Sequence, residues 1–161
     1  MIKEAILKVV NGNDLNAKEA YGAMDALFDT CDVAVMAAAV SDYRTKNESL
    51  RKIKKEDHDA LTIQLELNPD ILYGLGQKKQ HQFLVGFAAE TNDVIEHGKE
   101  KLERKNLDML VDNDVSQAGA GFNVSTNIAS LLYRDHTMEQ FPIMTKEELG
   151  RVIIRKIAER L

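Results

Sequence analysis

Three short apolar runs without a single charge punctuate the chain: Val33 to Val40, Phe83 to Ala88 and Met109 to Val111. Each is too short for an ordinary helix, which predicts strands buried on both faces. Between the last two, Asn92 to Lys105 carries Val94, Ile95, Gly98 and Leu102 on one face and is otherwise largely charged. A strand, a helix and a second buried strand predict a parallel sheet with a right-handed crossover. Upstream, Ala17, Ala20, Tyr21, Met24, Leu27 and Phe28 recur at helical spacing behind Asn16, a suitable N-cap. Gly12, between Asn11 and Asn13, reads as a turn.

The stretch from Ser41 to Ala60 breaks this rhythm, being polar, lysine-rich and without periodicity. Leu61 to Leu67 then alternates apolar and polar residues as a half-exposed strand does, so the whole segment reads as an excursion from the sheet. Pro69 suits the first helical position of a short helix through Lys79. After a glycine-containing loop at Gly119 to Gly121, Ile128 to Tyr133 and Met138 to Phe141 predict a hairpin turning at Asp135-His136. Thr145 and Glu148 stand at capping-box spacing ahead of Leu149, Val152, Ile153, Ile157 and Leu161, which predicts a closing amphipathic helix. The expected architecture is α/β: a Rossmann-like, mostly parallel sheet with helices on both faces.

At 161 residues and 44% hydrophobic, the chain suffices for one buried core, so residues 1–161 are expected to form a single domain. The net charge of −5 offers no global attraction to nucleic acid or to an anionic membrane. Any phosphate must therefore be held by a local basic cluster. Cys31 is the only cysteine, which excludes an intrachain disulfide and makes the cytoplasm the expected compartment. It precedes a strand without an activating partner in sequence and reads as an inert packed thiol. The four histidines are scattered without metal-ligand spacing.

In an open parallel sheet, ligands bind beyond the carboxyl ends of the strands. The residues there are Ala37-Ala38-Ala39-Val40-Ser41-Asp42, then Gly86-Phe87-Ala88-Ala89-Glu90-Thr91, then Asp112-Asn113-Asp114. Small residues, carboxylates and one aromatic face suit a planar base and a ribose. Positive charge for phosphates is available from Arg51-Lys52-Ile53-Lys54-Lys55, and from Lys101 and Lys105, four apart on one helix face. Each feature also has an ordinary reading: solvated surface for the lysines, core packing for Phe87, turn and helix-start charges for Asp42 and Glu90.

Their order decides between these readings. The strings Ala38-Ala39-Val40-Ser41-Asp42-Tyr43-Arg44, Lys52-Ile53-Lys54-Lys55, Asn68-Pro69-Asp70-Ile71, Gly86-Phe87-Ala88-Ala89-Glu90-Thr91, Lys101 and Lys105 before Asn106-Leu107-Asp108, Asn113-Asp114-Val115-Ser116 and Gly121-Phe122 follow one another as in bacterial phosphopantothenate–cysteine ligase, which the chain resembles from about Asp32 onward. The resemblance implies a Rossmann-like enzyme of coenzyme A biosynthesis that uses CTP and Mg²⁺ to convert the carboxylate of 4′-phosphopantothenate into an acyl-cytidylate, which the amine of cysteine then attacks. It implies Ala38, Ala39 and Phe87 against the nucleotide, Asp42 serving the nucleotide or its metal ion, and Lys52 neutralising phosphate charge during activation. Lys101 and Lys105 would add to the phosphate site, and the lysine-bearing excursion would help form a homodimer. No flavin is expected. The family opens with a strand, a glycine-rich loop and a helix that carry a catalytic asparagine, and nothing between Met1 and Cys31 resembles them. The chain is thus expected to be truncated and, by itself, inactive or nearly so. The competing expectation is a non-catalytic nucleotide-binding or dimerisation module.

Overall fold

A computed structural model describes residues 2–47, 49, 51, 53, 60–90, 94–115 and 124–161. The chain runs through α1 (Ile2–Val10), α2 (Ala17–Phe28), β1 (Val33–Met36), β2 (Tyr43–Thr45), β3 (Leu65–Leu67), α3 (Ile71–Lys78), β4 (Phe83–Glu90), α4 (Val94–Arg104), β5 (Met109–Asp114), β6 (Thr126–Asn127), β7 (Ala129–Tyr133), β8 (Met138–Gln140), β9 (Met144–Thr145) and α5 (Lys146–Ala158). The central sheet has the order β1-β4-β5-β7-β8. β1, β4 and β5 are parallel, with Val33 beside Phe83 and Val85 beside Met109, whereas β7 and β8 return antiparallel. The expected Rossmann-like sheet with helices on both faces is present.

Strand alternation divides the core into two layers, because successive side chains point to opposite faces. On one face Leu84, Leu110 and Leu132 meet Phe28 of α2, Leu75 of α3 and Leu102 of α4. On the other, Val85, Met109, Val111, Leu131 and Tyr133 meet Leu149, Ile153 and Ile157 of α5. Two glycines let α3 and its neighbours approach closely. A Cβ on Gly86 would come within 2.7 Å of Leu107 Cδ1 and 2.9 Å of Leu72 Cδ2, and one on Gly76 would collide with the backbone carbonyl of Lys105.

The caps of α2 and α5 form as their sequences require: Asn16 exchanges hydrogen bonds with Glu19, and Thr145 with Glu148. Other expectations need correction. β1 ends at Met36, and residues 37–42 form an irregular loop rather than the second half of a strand. It is also an edge strand, with Val35 39% exposed, not one buried on both faces. Only Leu65–Leu67 of the alternating run forms a strand, and it pairs antiparallel with Tyr43–Thr45, from a segment whose polarity hid its extended backbone. The N-cap of α3 is Asp70, so Pro69 stands before the cap rather than inside the helix. Asp112 to Asp114 lie within β5, not beyond its end, and Asp112 is buried. α1 is not among the expected elements, although Ile2, Ala5, Ile6, Val9 and Val10 recur at helical spacing; it is tied to α2 by an ion pair from Lys8 to Glu19 at 2.7 Å, and none of its residues is buried.

Candidate functional site

The loop that leaves β1 is fixed by residues far away in sequence. Asn68, directly after β3, donates its backbone N–H to the carbonyl of Asp42 at 2.8 Å and its Nδ2–H to the carbonyl of Ser41 at 2.8 Å. Its Oδ1 accepts from Arg44 Nη1 at 3.0 Å, while Arg44 Nε donates to Glu66 Oε1 at 2.8 Å. Ser41-Asp42 and Asn68-Pro69-Asp70, 27 positions apart at the Asn68–Ser41 bond, are thereby joined into one rim.

Asp70 extends this rim to α4. As N-cap it accepts the Tyr73 backbone N–H at 3.0 Å, and its carboxylate also receives Lys105 Nζ at 3.0 Å. Burial pushes the Asp70 carboxyl up, but the Tyr73 hydrogen bond and the Lys105 ammonium outweigh it and hold the group below its ordinary value. Lys105 is largely shielded, at 18% side-chain exposure, so its charge is already placed before any ligand arrives.

The remaining site residues fall as follows. Ala38, Ala39 and Asp42 are exposed on the loop, and among the described residues the Asp42 side chain has no hydrogen-bond or ionic partner. Phe87 is half-buried on the α5 side of β4, packed against the Val85, Met109 and Val111 cluster, so its ordinary core-packing role is at least partly realised. Lys101 lies on α4 and is half-buried, and its carbonyl accepts the backbone N–H of Lys105, the residue directly after that helix rather than on it, at 3.0 Å. Lys52 lies outside the described residues. The structure thus joins Asp42, Asp70 and Lys105 through hydrogen bonds and ion pairs, and none of these links reaches Phe87.

Asn68 and Asp70 belong to the rim although the sequence marks them only as part of a family motif. The available signal was an Asn-Pro-Asp triplet directly after an alternating run, where short polar side chains bond neighbouring backbone. Asn106 and Asp108 prove structural. Asn106, with φ 51°, donates Nδ2–H to the Gly76 carbonyl at 2.8 Å, and Asp108 Oδ2 accepts from both Lys79 Nζ and the Leu84 backbone N–H at 2.8 Å. Among the described residues no group of three His, Cys, Asp or Glu side chains could hold a metal ion unaided, and no helix is long and apolar enough to cross a membrane.

A mostly parallel central sheet covered by helices on both faces defines a Rossmann-like α/β domain. The chain belongs to the DNA/pantothenate metabolism flavoprotein C-terminal domain family, whose model matches residues 7–161. It is 40% identical over 143 residues to the coenzyme A biosynthesis bifunctional protein CoaBC of Bacillus subtilis, covering 89% of this chain and 35% of that protein. Against the CoaBC protein of Escherichia coli strain K12 it is 40% identical over 149 residues, covering 91% of this chain and 36% of the relative. The crystal structure of the C-terminal domain of a CoaBC protein superposes with a TM-score of 0.70 at 33% identity, over 90% of this chain and 62% of that one. The chain therefore spans little more than a third of these curated relatives.

Proposed function

We propose that this chain supplies the nucleotide-activating part of a phosphopantothenate–cysteine ligase in coenzyme A biosynthesis. The observation that carries this reading is the convergence of Ser41-Asp42, Asn68-Pro69-Asp70 and Lys105 on one rim, within a chain about 40% identical to CoaBC proteins. A carboxylate is a poor electrophile. Its oxygen attacks the α-phosphorus of CTP and expels pyrophosphate, giving an acyl-cytidylate. The amine of cysteine then attacks the acyl carbon, and CMP leaves with the bonding pair as the amide forms.

In this reading the small side chains of Ala38 and Ala39 admit the nucleotide close to the backbone, and Phe87 contributes an apolar surface. Lys105, with Lys101 and Lys52, neutralises phosphate charge; Lys52 is the residue assigned to the activation step. Asp42 fits a Mg²⁺ that arrives with the triphosphate, since such an ion is held by one or two carboxylates together with phosphates. Bound there, Mg²⁺ would withdraw charge from the triphosphate. The reading assigns no flavin to this chain. It makes the β2–β3 excursion a homodimer contact, supported by the exposed Tyr43, Ile63, Leu65 and Leu67.

Mixing the chain with CTP, Mg²⁺ and 4′-phosphopantothenate and measuring pyrophosphate tests this. Release supports the enzyme, CTP binding without release supports a nucleotide-binding module, and neither binding nor release overturns the proposal.

A further inference from the structure

We propose that Asn68 is the positioning residue that orients Asp42 at the rim. The role rests on the nucleotide-binding reading above, but its geometry stands without it. Residues 37–42 lie in no helix or strand, so the direction of Asp42 must be set by bonds from elsewhere. Asn68 supplies two of them. Its Nδ2–H holds the Ser41 carbonyl and its backbone N–H holds the next carbonyl, that of Asp42, both at 2.8 Å. With two consecutive peptide planes fixed, the Cα–Cβ direction of Asp42 is fixed as well.

The chemistry of the position selects asparagine. The side chain lies between an acceptor-only group, the Ser41 carbonyl, and a donor-only group, the Arg44 guanidinium, whose Nη1 reaches Asn68 Oδ1 at 3.0 Å. A short side chain with one acceptor and one donor end satisfies both, and reversing the amide would set like against like at each end. Arg44 is itself held by Glu66, with Nη2 to Oε1 at 2.6 Å, so the amide plane is fixed from outside the loop. The backbone bond to Asp42 merely continues the β2–β3 ladder and any residue but proline could make it; the Ser41 bond belongs to the side chain.

Asn68→Asp separates the two arms. The carboxylate keeps its pairing with Arg44 but turns an acceptor toward the Ser41 carbonyl, whereas Asn68→Ala removes both arms. Nitrogen-15 relaxation of Ala38 to Asp42 in the ligand-free protein reads loop order, and calorimetric titration with CTP and Mg²⁺ reads the site. We expect both variants to mobilise the loop and to weaken CTP binding roughly tenfold, as loss of a fixed hydrogen bond implies, with the melting temperature nearly unchanged. A merely structural role would lower the melting temperature and leave affinity alone in the folded fraction. A loop as ordered in Asn68→Asp as in wild type overturns the proposal; if that variant fails to fold, the same result in Asn68→Ala does so. If wild-type protein binds no CTP, the nucleotide reading fails separately, and the relaxation data still decide whether Asn68 orders the loop.

Discussion

Lys79 and Asp108 form a largely buried ion pair at 2.8 Å, with side-chain exposures of 6% and 18%, where α3 ends and β5 begins. The same Asp108 oxygen accepts the Leu84 backbone N–H at 2.8 Å, and Arg134 approaches the other oxygen at 3.4 Å. Asp108→Ala leaves the Lys79 ammonium shielded and unpaired, so unfolding by urea should show a loss of about 3 kcal/mol. An unchanged midpoint would contradict this role.

Gly76 stands against the Lys105 backbone carbonyl, with no room for a methyl group between them. Because the obstacle is backbone, it cannot step aside as a flexible side-chain end would. Gly76→Ala should destabilise the domain by about 2 kcal/mol in thermal melts, within the range for overpacking. Gly12→Ala, which meets no neighbouring atom, should be milder, its penalty arising from φ +76° alone.

The Asp70–Lys105 pair has a pH signature. The Asp70 carboxyl is held below its ordinary value of 3.8, so its contribution to stability is present above that value and is lost as pH falls through the lower folded one. Carbon-13 titration should place its midpoint below 3.8, and Lys105→Met should raise it. A wild-type midpoint at or above 3.8 would show that burial outweighs the two favourable bonds.

Thr145 caps α5 through Glu148, with the Glu148 backbone N–H reaching Thr145 Oγ1 at 3.1 Å. Thr145→Ala should cost about 1 kcal/mol and raise amide exchange in the first turn of α5. Uniform exchange across the helix would argue against a local cap.

Most of the fold that a regular pattern encodes was legible in the sequence, the helical spacing of Ile2, Ala5, Ile6 and Val9 in α1 being the exception. Charge-free runs located β1, β4 and β5, spacing located α2 and α4, and Thr145 with Glu148 marked the start of α5. Edge position was not legible, because an apolar run such as Val33–Met36 reads the same whether it has one neighbour or two. Nor was β2, the partner of the expected strand that contains β3, since Tyr43–Thr45 is exposed throughout and carries no burial pattern. At the site, the lysines and Asp42 were accessible as residue types. The bond from Asn68 to Ser41 and the pair from Asp70 to Lys105 were not, since both depend on elements brought together only by folding.

Calorimetric titration of CTP with Mg²⁺ into the wild-type chain and into Lys105→Gln tests the nucleotide rim most directly. The account predicts saturable one-site binding to the wild type, weakened at least severalfold in the variant as a phosphate contact is lost. Absence of binding, or equal affinity for both proteins, would contradict it.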